Sequence, residues 1–195
     1  MKIVPLLAVA ICLIPAVPTA APAQDSTNVK QLSTAKKQKA PKEFMKSLLG
    51  TWEGTCRTWL TPDPNKVSDE SKLKGKFLAV LDGRCIRHEY ESTILKKPRH
   101  GEELIAYNSI AKQFQISWID DFHMGSAILF SEGEATERGF LIKGKFEVGV
   151  KTPLWGWNTA YELTDQDHLI ITAYVVKPDG HESKAVETKY VRTKS

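Results

Sequence analysis

The sequence predicts an all-β protein: a single antiparallel, up-and-down β-barrel of about ten strands, preceded by one short N-terminal helix. Three observations carry that expectation. Apolar and polar residues alternate with a period of two. Phe114, Ile116 and Trp118 interleave with Gln113, Gln115 and Ser117, and Phe140, Ile142 and Phe146 with Lys143, Lys145 and Glu147. Turn-forming residues recur at short intervals between such segments. No helix-length pattern alternates with the strands, which disfavours a parallel α/β fold. An antiparallel sheet of this length tends to curl and close, because closure removes its exposed edges.

Residues 1–23 read as a bacterial-type secretory signal peptide. Met1 and Lys2 form a basic start, and Ile3 to Val17 is mostly apolar, broken by Pro5 and Pro15. Ala21-Pro22-Ala23 fits the small-x-small cleavage rule and makes Gln24 the new N-terminus. The apolar run is shorter than the ~20 residues a membrane span requires, and no later stretch is apolar enough to span. Cys12 follows Ile11, where lipidation wants a small residue. The expected location is therefore periplasmic or secreted.

Residues 24–40 form a polar, basic arm. Lys30, Lys36, Lys37 and Lys39, followed by Lys42 and Lys46, face the single acid Glu43. Such a stretch buries too little apolar surface to offset its chain entropy, so disorder is expected. The arm also explains the charge. The whole chain carries 27 basic and 23 acidic residues, a net charge of +4, yet from Ser47 onward the count is 20 against 21. Nucleic-acid binding would need basic and aromatic residues interleaved on one face, and only the arm is basic. Its 42% hydrophobic and 26% charged residues are ordinary for a globular chain and exclude collagen-like and polytopic membrane classes.

The barrel domain spans residues 41–195. Pro41 to Gly50 reads as a helix, with Pro41 at its first position, Gly50 at its stop, and Phe44, Met45, Leu48 and Leu49 apolar. Strands are expected at Trp52–Leu60, Leu73–Leu81, Arg84–Ser92, Glu102–Asn108, Gln113–Ile119, Ser126–Ser131, Phe140–Glu147, Trp157–Leu163, His168–Val176 and Glu182–Arg192. Asp82-Gly83 gives a tight hairpin and Lys177-Pro178-Asp179-Gly180-His181 a turn.

The helix followed by Gly50-Thr51-Trp52-Glu53-Gly54 resembles the opening of lipocalin-like (calycin) barrels, where the tryptophan closes one barrel end. An ordered set extends the resemblance over nearly all of Lys42 to Arg192. After Leu49 to Gly54 come Arg87-His88-Glu89-Tyr90-Glu91, Trp118 to His123, Phe130 to Ala135, Trp155-Gly156-Trp157 and Ile171 to Tyr174. This set looks like the bacterial family called domain of unknown function 1579. The resemblance implies a lipocalin-like or nitrobindin-like barrel and supplies no activity.

Three groups of residues could carry chemistry. Ile86, His88 and Tyr90 share one strand face, so an inward Ile86 places His88 and Tyr90 in the cavity. Their alternative is a satisfied barrel wall. Trp118, Asp120, Asp121 and His123 gather at a turn on the rim. They could bind a ligand or move a proton, or simply cap the turn. Trp155 and Trp157 follow a loop at a barrel mouth, as a gate or as a hydrophobic plug. No HExxH, His-x-His or CxxC spacing supports a metal site, no nucleophile elbow is present, and the cofactor is left unknown.

Cys56 and Cys85 are the two cysteines after the signal segment. In a meander they fall on the first and third strands, ~9.6 Å apart, too far for the ~7 Å limit of a bridge, so free thiols are expected. The leading functional expectation is a barrel holding a small apolar or amphipathic ligand. A haem-binding barrel is second, with His88 and then His123 as iron ligand. An enzyme using His88, Glu89, Tyr90 or Asp121 for acid–base chemistry is third.

Overall fold

A computed structural model describes residues 40–194. The expected signal peptide (1–23), all of the expected arm but Ala40, and Ser195 lie outside the described residues. The elements run α1 (Pro41–Leu48), β1 (Gly50–Thr58), β2 (Asp69–Val80), β3 (Cys85–Ile94), β4 (Lys97–Asn108) and β5 (Gln113–Asp120). They continue through β6 (Leu129–Thr136), β7 (Gly139–Phe146), β8 (Trp155–Leu163), β9 (His168–Val176) and β10 (Glu182–Arg192). Every strand pairs antiparallel with its sequence neighbour, and β1 pairs with β10, so the ten strands form one closed barrel. The all-β class and the up-and-down topology are as the sequence predicts.

One end of the barrel is plugged by α1. Phe44, Met45 and Leu48 are buried there, and Phe44 meets Phe114 and Phe140 edge-on at 6.2 and 5.7 Å. The helix ends at Leu49, where ψ is already an extended 139°, and Gly50 follows at φ +125°, a conformation that L side chains rarely adopt. Trp52 then enters the floor and donates from Nε1 to the Leu48 carbonyl at 2.9 Å. Arg192, from the last strand, lies 4.0 Å over the Trp52 ring and donates to the Leu49 and Ser47 carbonyls. It thereby supplies the helix C-terminus with partners that no further turn provides.

The strands depart most from the expected bounds at β2, β4 and β6, and β2 begins at Asp69 rather than Leu73. β4 begins at Lys97 rather than Glu102, because Leu95 and Lys96 both take positive φ and close a two-residue hairpin. Pro98 is tolerated since β5 first pairs with β4 at Gly101, leaving Pro98 with β3 as its only neighbour. β6 begins at Leu129 and runs through Gly133, where a Cβ would lie 2.0 Å from the Leu141 carbonyl oxygen. There the glycine allows close strand approach instead of ending the strand.

Cys56 and Cys85 are free thiols. Their separation is longitudinal as well as lateral. Cys56 lies level with Ser71 on β2, whereas Cys85 pairs with Val80. That offset runs about 30 Å along the sheet.

Candidate functional site

Above the aromatic floor, the barrel interior has a polar wall and an apolar wall. β3, β4 and β10 turn His88, Tyr90, Arg99, Glu103 and Tyr190 inward, while Leu129, Ile142, Ile171 and Ala173 face them from β6, β7 and β9. Between the walls about 60 Å³ is open to the centres of water molecules, room for roughly four waters. A groove of about 630 Å³ also crosses the outer face of β2 to β5, but it is open and lined by surface charges such as Lys74, Lys76, Glu89 and Glu91.

The lower polar cluster centres on Glu103. His88 is stacked on Phe77, ring centres 3.9 Å apart and nearly parallel. Its Nδ1 lies 2.6 Å from Glu103 Oε2 and its Nε2 3.0 Å from the Tyr190 hydroxyl. Tyr161 donates to the same Glu103 Oε2 at 2.5 Å. A carboxylate can only accept, so His88 carries a proton on Nδ1, facing Glu103. Burial, reinforced by the Glu103 charge, pushes the Tyr161 and Tyr190 hydroxyls well above the ordinary tyrosine range, so both stay neutral donors.

The upper cluster is a buried ion pair. Arg99 Nε donates to Asp120 Oδ2 at 2.8 Å, and the side chains are 5% and 0% exposed. Tyr90 donates to the same oxygen at 2.6 Å and accepts from Trp118 Nε1 at 2.8 Å and Arg99 Nη2 at 3.3 Å. Arg99 Nη1 reaches Cys56 Sγ at 3.5 Å. Burial opposes the charge on Arg99, but the Tyr90 oxygen and the Asp120 carboxylate hold its guanidinium firmly protonated. Burial likewise opposes the charge on Asp120. The hydrogen bond from His123 and the Arg99 charge overcome it and hold the carboxyl far below the usual range.

The second Asp120 oxygen ties the β5–β6 connection down. Oδ1 accepts from the backbone N–H groups of Phe122 and His123 and lies 3.1 Å from His123 Nδ1. His123 is thus held over the barrel mouth, 5.7 Å from Trp118 and 5.6 Å from Trp157, which stack on each other at 5.4 Å. Phe146 closes the group from β7.

The structure therefore brings together Trp118, His123 and Trp157, and places His88 and Tyr90 on the cavity wall. It does not bring in Asp121, which sits on the outer face beside His100, or Trp155, which is half-buried at the start of β8 and does not line the cavity. Glu89 also points outward, to Arg87, so His88, Glu89 and Tyr90 form no acid–base group; the carboxylate that meets His88 is Glu103. Sequence reading missed Arg99, Glu103, Tyr161 and Tyr190. Glu103 did carry a signal, since it shares the Ile105 stripe of β4. Haem does not fit this interior. Both His88 nitrogens are engaged, its ring is covered by Phe77, and about 60 Å³ cannot admit a macrocycle.

A closed, helix-plugged antiparallel meander with a polar-lined hollow defines a calycin-like barrel. The chain belongs to the family described as Protein of unknown function (DUF1579), whose model matches residues 37–192, as the ordered motifs of the sequence imply. Among solved structures the chain is similar to the S-type phycobiliprotein lyase CpeS from Guillardia theta. Sequence identity is 13% and the TM-score 0.57, over 85% of this chain and 99% of that one. It is also similar to Rv2717c from M. tuberculosis, at 12% identity and TM-score 0.56, over 81% of this chain and 100% of that one. At these identities the likeness is one of fold. No curated protein matches the chain.

Proposed function

We propose that the protein is an exported binding barrel that holds a small amphipathic molecule between its polar and apolar walls. The observation that carries this reading is the two-sided lining of the hollow, with His88, Tyr90 and Glu103 on one side and Ile142, Ile171 and Ala173 on the other. A wall of that kind orients a ligand by its polar end and desolvates the remainder. The size of the hollow limits the ligand to about four heavy atoms while His123 rests on the tryptophans. The β5–β6 connection is the element whose movement would admit more. Similarity of fold to a phycobiliprotein lyase is consistent with a barrel that handles small molecules.

Methyl-resolved NMR titration with a set of two- to six-heavy-atom compounds tests the reading. At least one compound should give saturable shifts confined to Leu129, Ile142, Ile171 and their cavity neighbours. A set that moves none of these methyls refutes it. Export is supported by the basic start, apolar run and Ala21-Pro22-Ala23 site. Its test is the intact mass of protein recovered outside the cytoplasm of a bacterial host. A mass beginning at Gln24 is expected, and a full-length protein confined to the cytoplasm overturns the proposal.

A further inference from the structure

The cavity wall has polar groups that no protein partner satisfies. Ser131, Thr159 and Thr188 line it from β6, β8 and β10 and are 4%, 7% and 7% exposed, and their hydroxyls have no hydrogen-bond partner among the described residues. Glu103 adds a fourth. Both of its protein donors, His88 and Tyr161, converge on Oε2, and Oε1 receives none among the described residues. Since Glu103 stands on the inner face of β4, its 12% side-chain exposure faces the hollow.

The charge of the wall follows from the same bonds. Arg99 is the buried cation, and Asp120 already neutralises it in a direct 2.8 Å contact. His88 bonds Glu103 through Oε2 alone. Glu103 Oε1 is then the carboxylate oxygen of the wall that no protein donor reaches among the described residues. An anionic ligand would sit beside it and gain nothing from a guanidinium that is already paired. A neutral hydroxyl brings a single donor, too few for both Oε1 and the wall hydroxyls. A cation with N–H donors answers both, and the stacked Trp118 and Trp157 at the mouth present the π-faces that cations favour.

We propose that the cavity is a site for a small organic cation, a primary alkylammonium whose nitrogen bonds Glu103 Oε1 and the neighbouring hydroxyls while its alkyl part lies on the apolar wall. This rests on the reading of the barrel as a small-molecule binder and names the class of molecule. The same methyl-resolved titration tests it, using propylammonium, 1-propanol and propionate at matched ionic strength. Propylammonium should bind roughly tenfold tighter than 1-propanol, the gain expected of one charge-assisted hydrogen bond, with propionate weakest. Glu103→Gln should remove that preference. Binding of 1-propanol or propionate as tight as that of propylammonium in the unaltered protein overturns the proposal, whether or not the variant folds. So does an unchanged preference in Glu103→Gln. If other compounds shift the cavity methyls and this series does not, the ammonium assignment falls and the binding barrel stands. If no compound does so, both fall.

Discussion

Asp120 accepts hydrogen bonds at five donor atoms, from Tyr90, Arg99, the backbone of Phe122, and both the backbone and ring of His123. Its neighbour Asp121 is about half exposed and meets only His100. The two residues are indistinguishable by composition, and what separates them is strand parity, which continues the inward Phe114, Ile116, Trp118 stripe to Asp120. Asp120→Ala leaves the Arg99 charge buried and unpaired, so a loss of about 3–5 kcal/mol is expected in urea unfolding. Asp121→Ala should stay within about 0.5 kcal/mol. The depressed pKa of Asp120 also sets an acid limit. Above the free aspartate value of about 3.9 the group is ionised in both folded and unfolded chains, and its full stabilisation is present. As pH falls below that value the unfolded chain takes up the proton first, and stability drains until the folded group protonates too. Urea midpoints measured from pH 6 to pH 3 should therefore fall less steeply in Asp120→Asn than in the unaltered protein. Arg99 shows why part of this cluster was illegible in the sequence. It stands in a lysine- and proline-containing stretch that reads as a loop, and only the tight Leu95-Lys96 turn carries it into the barrel.

At the scale of elements, α1 is eight residues long and has no side-chain cap at its N-terminus, so it is too short to persist by itself. Its stability comes from docking: Leu48 is fully buried, and Arg192 holds the last carbonyls. Leu48→Ala should cost about 2–5 kcal/mol, read as a shift in thermal midpoint together with loss of the near-ultraviolet signal of Trp52. All ten strands were legible from alternation and turns, because each buries one face and wets the other. Bounds failed where a local rule met a tertiary exception. The expected β6 stops at Ser131, short of Gly133, which serves close packing, and the expected β4 starts at Glu102, past Pro98, which β5 does not flank. The polar wall was harder, since its contacts join residues far apart in the chain. His88 and Tyr190, for instance, are 102 positions apart.

At the scale of the whole molecule, the barrel closes by pairing its first strand with its last, and Arg192 bonds a carbonyl 143 positions earlier. Contacts so distant make folding slow relative to helical proteins of the same length. Removing residues 182–192 opens two strand edges at once, β1 and β9. The shortened chain should therefore form dimers or aggregates in size-exclusion chromatography where the full chain does not.

The seam between β1 and β10 also has a bearing on the birth of the protein. β10 emerges after both strands it must join, so the barrel cannot close on a nascent chain until residue 192 has cleared the ribosome. The order of the strands delays closure without a separate device, and α1, made before any strand, waits for Arg192 before it can be held in place.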